Sequence, residues 1–177
     1  MKATGVVRRI DDLGRIVIPK EIRKNLRIKN GENFEIFLDE EEHIILKKYS
    51  QIDKLKDVAT SLADAIYSLI KKDIFITNTD TFIAIGGHLK KEYLNKPLSG
   101  QIEKAIHSRQ EVIESEINSL DISAEKTIKA SYALCPIIAG GDAVGSLILI
   151  STKEALQDPD FQIIKLAANF LARHIEQ

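Results

Sequence analysis

With one cysteine in 177 residues, the chain cannot be stapled from within. Cys135 has no partner for an internal disulfide, and no second thiol exists for a cysteine-based metal site. Long apolar runs are missing too. No stretch approaches the roughly 20 residues that span a bilayer, and the start MKATGVVRR has no apolar run of signal-peptide length. No membrane partner is expected, and the composition reads as a cytoplasmic protein. Net charge is nearly absent, at -1 overall with a pI near 6.4. That balance hides a segregation. From Met1 to Lys29 nine Lys or Arg stand against three acids, a net of +6, whereas from Asn30 to Ser50 two lysines face six acids, a net of -4. Because phosphate neutralisation is local, the basic stretch can bind a polyanion whatever the total. Length alone fits one domain or two, and there is no internal repeat or low-complexity segment.

Residues 6–10 (VVRRI) and 15–19 (RIVIP) read as two strands joined by the turn DDLG, with Gly14 free to take positive φ. Pro19 suits the first turn of a short helix, KEIRKNLRI, which stacks Ile22 and Leu26 on one face. After an Asn30-Gly31 turn, ENFEIFLD and HIILKKY read as strands about an acidic turn. Fifty residues without cysteine cannot offset chain entropy alone. Ile16, Val17 and Ile18 put apolar groups on both faces of one strand, which a second interleaved copy would cover.

A helix of about five turns at 3.6 residues each is expected next, over 51–72, opened by Ser50 with Asp53 three residues on. Its Ile52, Leu55, Ala59, Leu62, Ile66 and Leu69 repeat at the spacing of helices that pair along their length, and plain packing on its own domain fits equally. Strands are expected at 73–78 and 81–86, a helix over 98–109, a short strand at EVIESE and a polar loop over 117–129. SYALCPIIAGGDAVGSLILIST gives two apolar strands about a Gly140-Gly141-Asp142 turn. A last helix over 159–176 is expected to start with Asp158 as cap and to be covered on more than one face. The fold class is α+β. A small basic module over 1–49 is followed by a connecting helix over 50–72 and a domain over 73–177 with a five-stranded sheet flanked by helices.

Among the chemical candidates, Arg8, Arg9, Arg15, Lys20, Arg23, Lys24 and Arg27 stand out. Charge runs are usually solvated faces. Here arginine dominates, with a planar fork that suits guanine edges and phosphates, and the set falls on a hairpin and an adjacent helix, which favours nucleic acid. His43, His88, His107 and His174 have no i, i+3 or i+4 pair, so no metal site is expected. Cys135, in an apolar strand, reads as an inert buried thiol. The run 39–42 reads as an acidic turn, and Gly86-Gly87 and Gly140-Gly141 lack phosphate-loop spacing. No catalytic set emerges, so an enzyme is not expected.

MKATGVVRRIDDLGRIVIPKEIRKNLRI, followed by the EIFLD and IILKKY strands, closely resembles the AbrB-type swapped-hairpin DNA-binding domain of bacterial transition-state regulators. With the sensor-like remainder, the whole chain is similar to the SpoVT-like sporulation regulators. The resemblance implies an intertwined swapped-hairpin β-barrel dimer, joined by a helix to a GAF-like antiparallel sheet. It also implies activation and repression of sporulation genes in the developing forespore. By the same likeness, Arg8, Arg15 and Arg23 match the family's DNA-contacting arginines, and Arg9 and Lys20 are secondary phosphate contacts. Lys24 stands where relatives often carry arginine, and offers a point charge without the two-pronged geometry. The expected partners are double-stranded DNA and a second copy of the chain, with a dimer of dimers as the larger assembly. No cofactor is required, and the GAF-like domain leaves room for a small-molecule effector. Two rivals stand beside this reading. One is an antitoxin-like autorepressor, which would usually end in a flexible arm; the other is a small-molecule enzyme built on the C-terminal domain.

Overall fold

The computed structural model describes residues 5–28 and 30–177. Residues 1–4 of the family-like stretch, and Lys29 of the basic segment, lie outside that description. The chain divides into two compact units, one ending at Tyr49 and the other starting at Ser50.

In the first unit, helix α1 covers Lys20–Asn25, strand β1 Phe34–Leu38 and strand β2 Ile44–Lys48. Pro19 occupies the N-cap, one position before the first turn where the sequence puts it. Strands β1 and β2 form an antiparallel hairpin in which Phe34 faces Lys48 and Leu38 faces Ile44. The turn between them is built by Asp39, whose carboxylate accepts the amides of Glu41 (3.0 Å) and His43 (2.8 Å). The expected strands at 6–10 and 15–19 do not form a ladder within the chain, although their turn closes. The reason is physical: a lone hairpin is marginal in water, and these segments have nothing to lie on. No described residue from 5 to 49 is buried. Val7 is 88% exposed, Val17 72% and Leu38 75%, with Ile10, Leu13, Ile16, Leu26, Ile36 and Ile44 also open.

The second unit begins with a single 3-10 turn, Ile52–Leu55, which leads into helix α2, Lys56–Ile70. Ser50 does not cap it. Asp53 instead accepts a hydrogen bond from the Asn78 amide (3.0 Å), tying the turn to the sheet. Strands β3 (Asp73–Thr77), β4 (Phe82–Gly86), β5 (Val112–Ser123), β6 (Lys126–Ala139) and β7 (Asp142–Ser151) form an antiparallel sheet of order β4-β3-β7-β6-β5. Helix α3 (Lys90–Tyr93) and helix α4 (Gly100–Ser108) follow β4, and helix α5 (Asp158–Ile175) closes the chain.

Two cores flank this sheet. On one face Ile52, Ala59, Ala63 and Ile66 meet Ile74, Ile76, Leu147 and Leu149 together with Phe161, Ile164, Ala168 and Leu171 of α5. On the other, Tyr93, Leu98, Ile102 and Ile106 meet Phe75, Phe82, Ile85, Tyr132, Ile148 and Ile150. Strands buried on both faces read as continuous apolar runs, which is why β3 and β7 and much of β6 were conspicuous in the sequence. Helix α2 thus packs on its own domain, leaving Leu69 73% exposed at the end of its heptad pattern.

Two expectations are corrected here. The 117–129 segment is not a loop: β5 continues to Ser123 and β6 starts at Lys126. Its polar residues lie on an edge strand, where only Leu120 and Ile122 reach the core. The cap of α5 is Gln157, one residue earlier than expected, in a reciprocal capping box with Asp160. Helix α5 is covered as expected by the sheet and by α2, while Leu166 and Phe170 stay exposed.

Asp160 has a second task. Its buried carboxylate accepts from the Gln157 amide (2.8 Å) and pairs with Lys72 (2.8 Å), which also reaches Glu154 (3.2 Å). Burial pulls the Lys72 ammonium down, but the Asp160 and Glu154 carboxylates outweigh it and hold the group above the ordinary lysine value of 10.5. The raised lysine value therefore contributes stability that is fully present at neutral pH and is lost as pH rises through that elevated value. Replacing Asp160 by Ala leaves Lys72 with only the more exposed Glu154 and removes the cap. Urea unfolding of the full chain followed by circular dichroism is expected to show a loss of about 1–3 kcal/mol.

Candidate nucleic-acid interface

The turn after the first arginines is assembled by one side chain. Asp11 accepts the backbone amides of Leu13 (3.0 Å) and Arg15 (2.8 Å) on Oδ1, while its own amide donates to the Arg15 carbonyl (3.0 Å). Gly14 takes φ 74°, the left-handed conformation that glycine enters without cost, and donates to the Asp11 carbonyl. The second carboxylate oxygen, Oδ2, accepts from Arg15 Nε at 2.8 Å. The Arg15 amide first, its guanidinium next and the Leu13 amide least hold the Asp11 carboxyl below the usual carboxylate range.

Around this turn stand the residues singled out from the sequence. Arg8 and Arg9 are exposed ahead of it, and Arg8 donates only to the neighbouring Val7 carbonyl (3.3 Å). Arg15 is exposed beyond it. On α1, Lys20 and Lys24 are exposed one turn apart. Arg23 is half-buried, donates from Nη1 to Asn30 Oδ1 (3.3 Å), and keeps Nε buried without a hydrogen bond among the described residues. The structure brings none of these six cations into contact with another. It offers them as separate charges on the turn flanks and on the helix. Sequence reasoning missed Asp11 and Asn30 as the residues that hold Arg15 and Arg23. Asp11 lies four residues before Arg15 inside the DDLG turn, a spacing that carries the signal.

The acidic half of the unit serves structure. Asp39 binds the His43 ring (2.9 Å to Nδ1) as well as the turn amides, and those amides are the main reason its carboxyl sits low. Lys48 reaches back to the Arg27 carbonyl (2.7 Å) and to Glu32 (3.3 Å). Among the described residues no three His, Cys, Asp or Glu side chains gather as a metal would require.

In the second unit a cleft of about 830 Å³ opens between α4 and the β5–β6 hairpin, with Ser99, Gln101, Lys104, Asp121 and Glu125 on its walls. Lys126, also on its wall, is paired with Glu92. Asp121 accepts from Thr127 (2.6 Å). Cys135 is buried in β6, where burial first and the Glu111 carboxylate second push its thiol up to about 11 against a smaller opposing pull from Lys165.

Comparison with known proteins agrees with this division. Residues 54–176 match the family described as Stage V sporulation protein T C-terminal, transcription factor, and residues 7–54 match the family described as Antidote-toxin recognition MazE, bacterial antitoxin. The chain is 44% identical over 178 aligned residues to Stage V sporulation protein T of Bacillus subtilis (strain 168), covering 100% of both chains. Transition state regulatory protein AbrB of the same organism is 55% identical over 49 residues, 28% of this chain and 50% of that protein. Among solved structures, the GAF domain of the nutrient sensor CodY from Clostridium difficile superposes with a TM-score of 0.51 at 16% identity, over 71% of this chain and 93% of that one. The second unit therefore has a GAF-like fold. No helix among the described residues is long and apolar enough to cross a membrane.

A thiol held at about 11 stays protonated and shielded at neutral pH. Cys135 is accordingly expected to resist a disulfide reagent such as dithionitrobenzoate in the native protein at pH 8, and to react fully in guanidinium. Rapid reaction in the native state would contradict its placement.

Proposed function

This chain belongs to the stage V sporulation protein T family of transcription factors, and from that premise we propose how it meets DNA and assembles. It is a DNA-binding regulator of sporulation transcription with an AbrB-like amino-terminal domain and a GAF-like carboxy-terminal domain. Two chains interleave their first fifty residues, and the paired turns and α1 helices present Arg8, Arg15, Arg23 and Lys24 to a duplex, with Arg9 and Lys20 on flanking phosphates. The observation that carries this reading is the contrast within the first unit. Arg8, Arg9, Arg15, Lys20 and Lys24 are exposed at its surface while its apolar residues have no interior to enter.

The finer statements rest on the same basis. The regulator activates some promoters and represses others, acts in the cytoplasm of the forespore, and has no catalytic turnover of its own. Relatedness to a transcription factor along its full length, and a folded rather than flexible carboxy-terminal half, favour it over an autorepressing antitoxin. The exposed Leu69 on α2 and Leu166 and Phe170 on α5 support joining of two carboxy-terminal domains, which makes the dimer extensible to a tetramer. The α4 cleft is the place for a small-molecule effector, and no cofactor is needed for DNA binding.

Changing Arg8, Arg15 or Arg23 to Ala is expected to weaken binding of the full-length protein to a mixed-sequence duplex. Each lost phosphate contact should flatten the log-log dependence on salt by about one unit. Fluorescence anisotropy between low and moderate salt measures both. Unchanged affinity in all three variants would refute the assignment.

A further inference from the structure

The Asp11–Arg15 contact has a geometric consequence for which DNA atoms Arg15 can reach. A guanidinium offers its donors along edges, and the edge containing Nε is occupied here by Asp11 Oδ2 at 2.8 Å. Among the described residues Nη1 and Nη2 have no partner. The ion pair is open to solvent, with the Arg15 side chain 72% and the Asp11 side chain 43% exposed, so it is not a buried structural clamp. The other candidates differ. Arg23 is held by the neutral Asn30 amide oxygen, Arg8 by a backbone carbonyl alone, and no carboxylate touches either.

Two effects follow from placing a carboxylate there. The Nη1/Nη2 pair left free is the prong that fits guanine O6 and N7 in the major groove. The carboxylate also repels a phosphate brought to the same guanidinium, whereas a base edge carries no net charge to repel. An arginine without such a neighbour binds phosphate readily and carries no sequence information.

We infer that Asp11 is a specificity-determining positioning residue: it holds Arg15 by Nε so that the outer edge of the guanidinium reads a guanine in preference to gripping the backbone. This rests on the DNA-binding reading of Arg15. It adds that loss of Asp11 damages discrimination rather than affinity, because a repulsive charge disappears along with the orientation.

The test is in vitro selection from a randomised duplex library with the full-length protein, run in parallel for wild type, Asp11→Asn and Asp12→Asn, alongside affinity for an unselected duplex. Asparagine keeps an Oδ1 acceptor for the Leu13 and Arg15 amides, so the turn is retained while the charge is lost. Asp12→Asn makes the same charge change at a residue with no side-chain partner among the described residues. Wild type is expected to enrich guanine at a matched pair of positions, one per half-site. Asp11→Asn should lose that preference by about tenfold or more, within the range a bidentate arginine–guanine contact supplies, with affinity for the unselected duplex equal or higher. Asp12→Asn should keep the wild-type profile.

A wild-type profile from Asp11→Asn would overturn the inference, as would an equal loss of affinity for selected and unselected duplexes, which marks a merely structural role. If Asp11→Asn fails to fold by circular dichroism, Arg15→Lys decides. It keeps the charge without the fork and must lose the same guanine, and a retained preference overturns the inference. Wild type that binds duplexes with no guanine preference sinks this inference alone, whereas wild type that retains no duplex sinks the DNA-binding reading itself.

Discussion

The first unit has apolar side chains and no interior to put them in. From residue 5 to residue 49 no described position is buried, yet the segment carries Val, Ile, Leu and Phe in strand and helix patterns. At about 25 cal/mol per Å² of apolar surface removed from water, leaving that many such groups exposed forfeits the main driving force of folding. On the proposed reading a second copy supplies the missing half. Strands 6–10 and 15–19, unladdered within one chain, gain neighbours when two chains interleave, and the exposed rows at Ile36, Leu38 and Ile44 gain a surface to cover. On the proposed reading dimerisation is a condition of the fold, and DNA binding inherits it, because the cations ride on the same turn and helix.

The second unit is self-sufficient by comparison. Its sheet has a helix-covered core on each face, its capping box and the Lys72–Asp160 pair fix the start of α5, and its two-glycine hairpin turn at Gly140 and Gly141 takes the positive φ angles that a tight turn between twisted strands demands. Its exposed large apolar side chains are few, with Leu69 and Leu166 the most open. The two units thus divide the work. On the proposed reading the first pairs with a second copy and meets DNA, while the second, with its own core, holds the α4 cleft.

Most of the sheet was legible in the sequence, because β3, β7 and much of β6 are buried on both faces and so spell unbroken apolar runs. Only the start of β5 was, as the short strand at EVIESE; its continuation was not, since an edge strand buries only a few residues, and Leu120 and Ile122 alone were too sparse a signal among Asn118, Ser119, Asp121 and Ser123. The starts of α2 and α5 were misplaced because Ser50 and Asp158 look like caps in one dimension, while tertiary partners chose otherwise: Asp53 turns to Asn78, and Gln157 pairs with Asp160. The cations could be read from charge and arginine content. Asp11 and Asn30 could not, because their importance lies in the atoms they hold, and spacing reveals that only once the turn is built.

The central claim is that the first unit folds only as a pair. Sedimentation equilibrium of a peptide spanning residues 1–50, combined with circular dichroism over a range of concentrations, addresses it directly. The account predicts that ordered structure and dimer mass rise together as concentration increases and vanish together on dilution. A monomer that stays folded at micromolar concentration would contradict it.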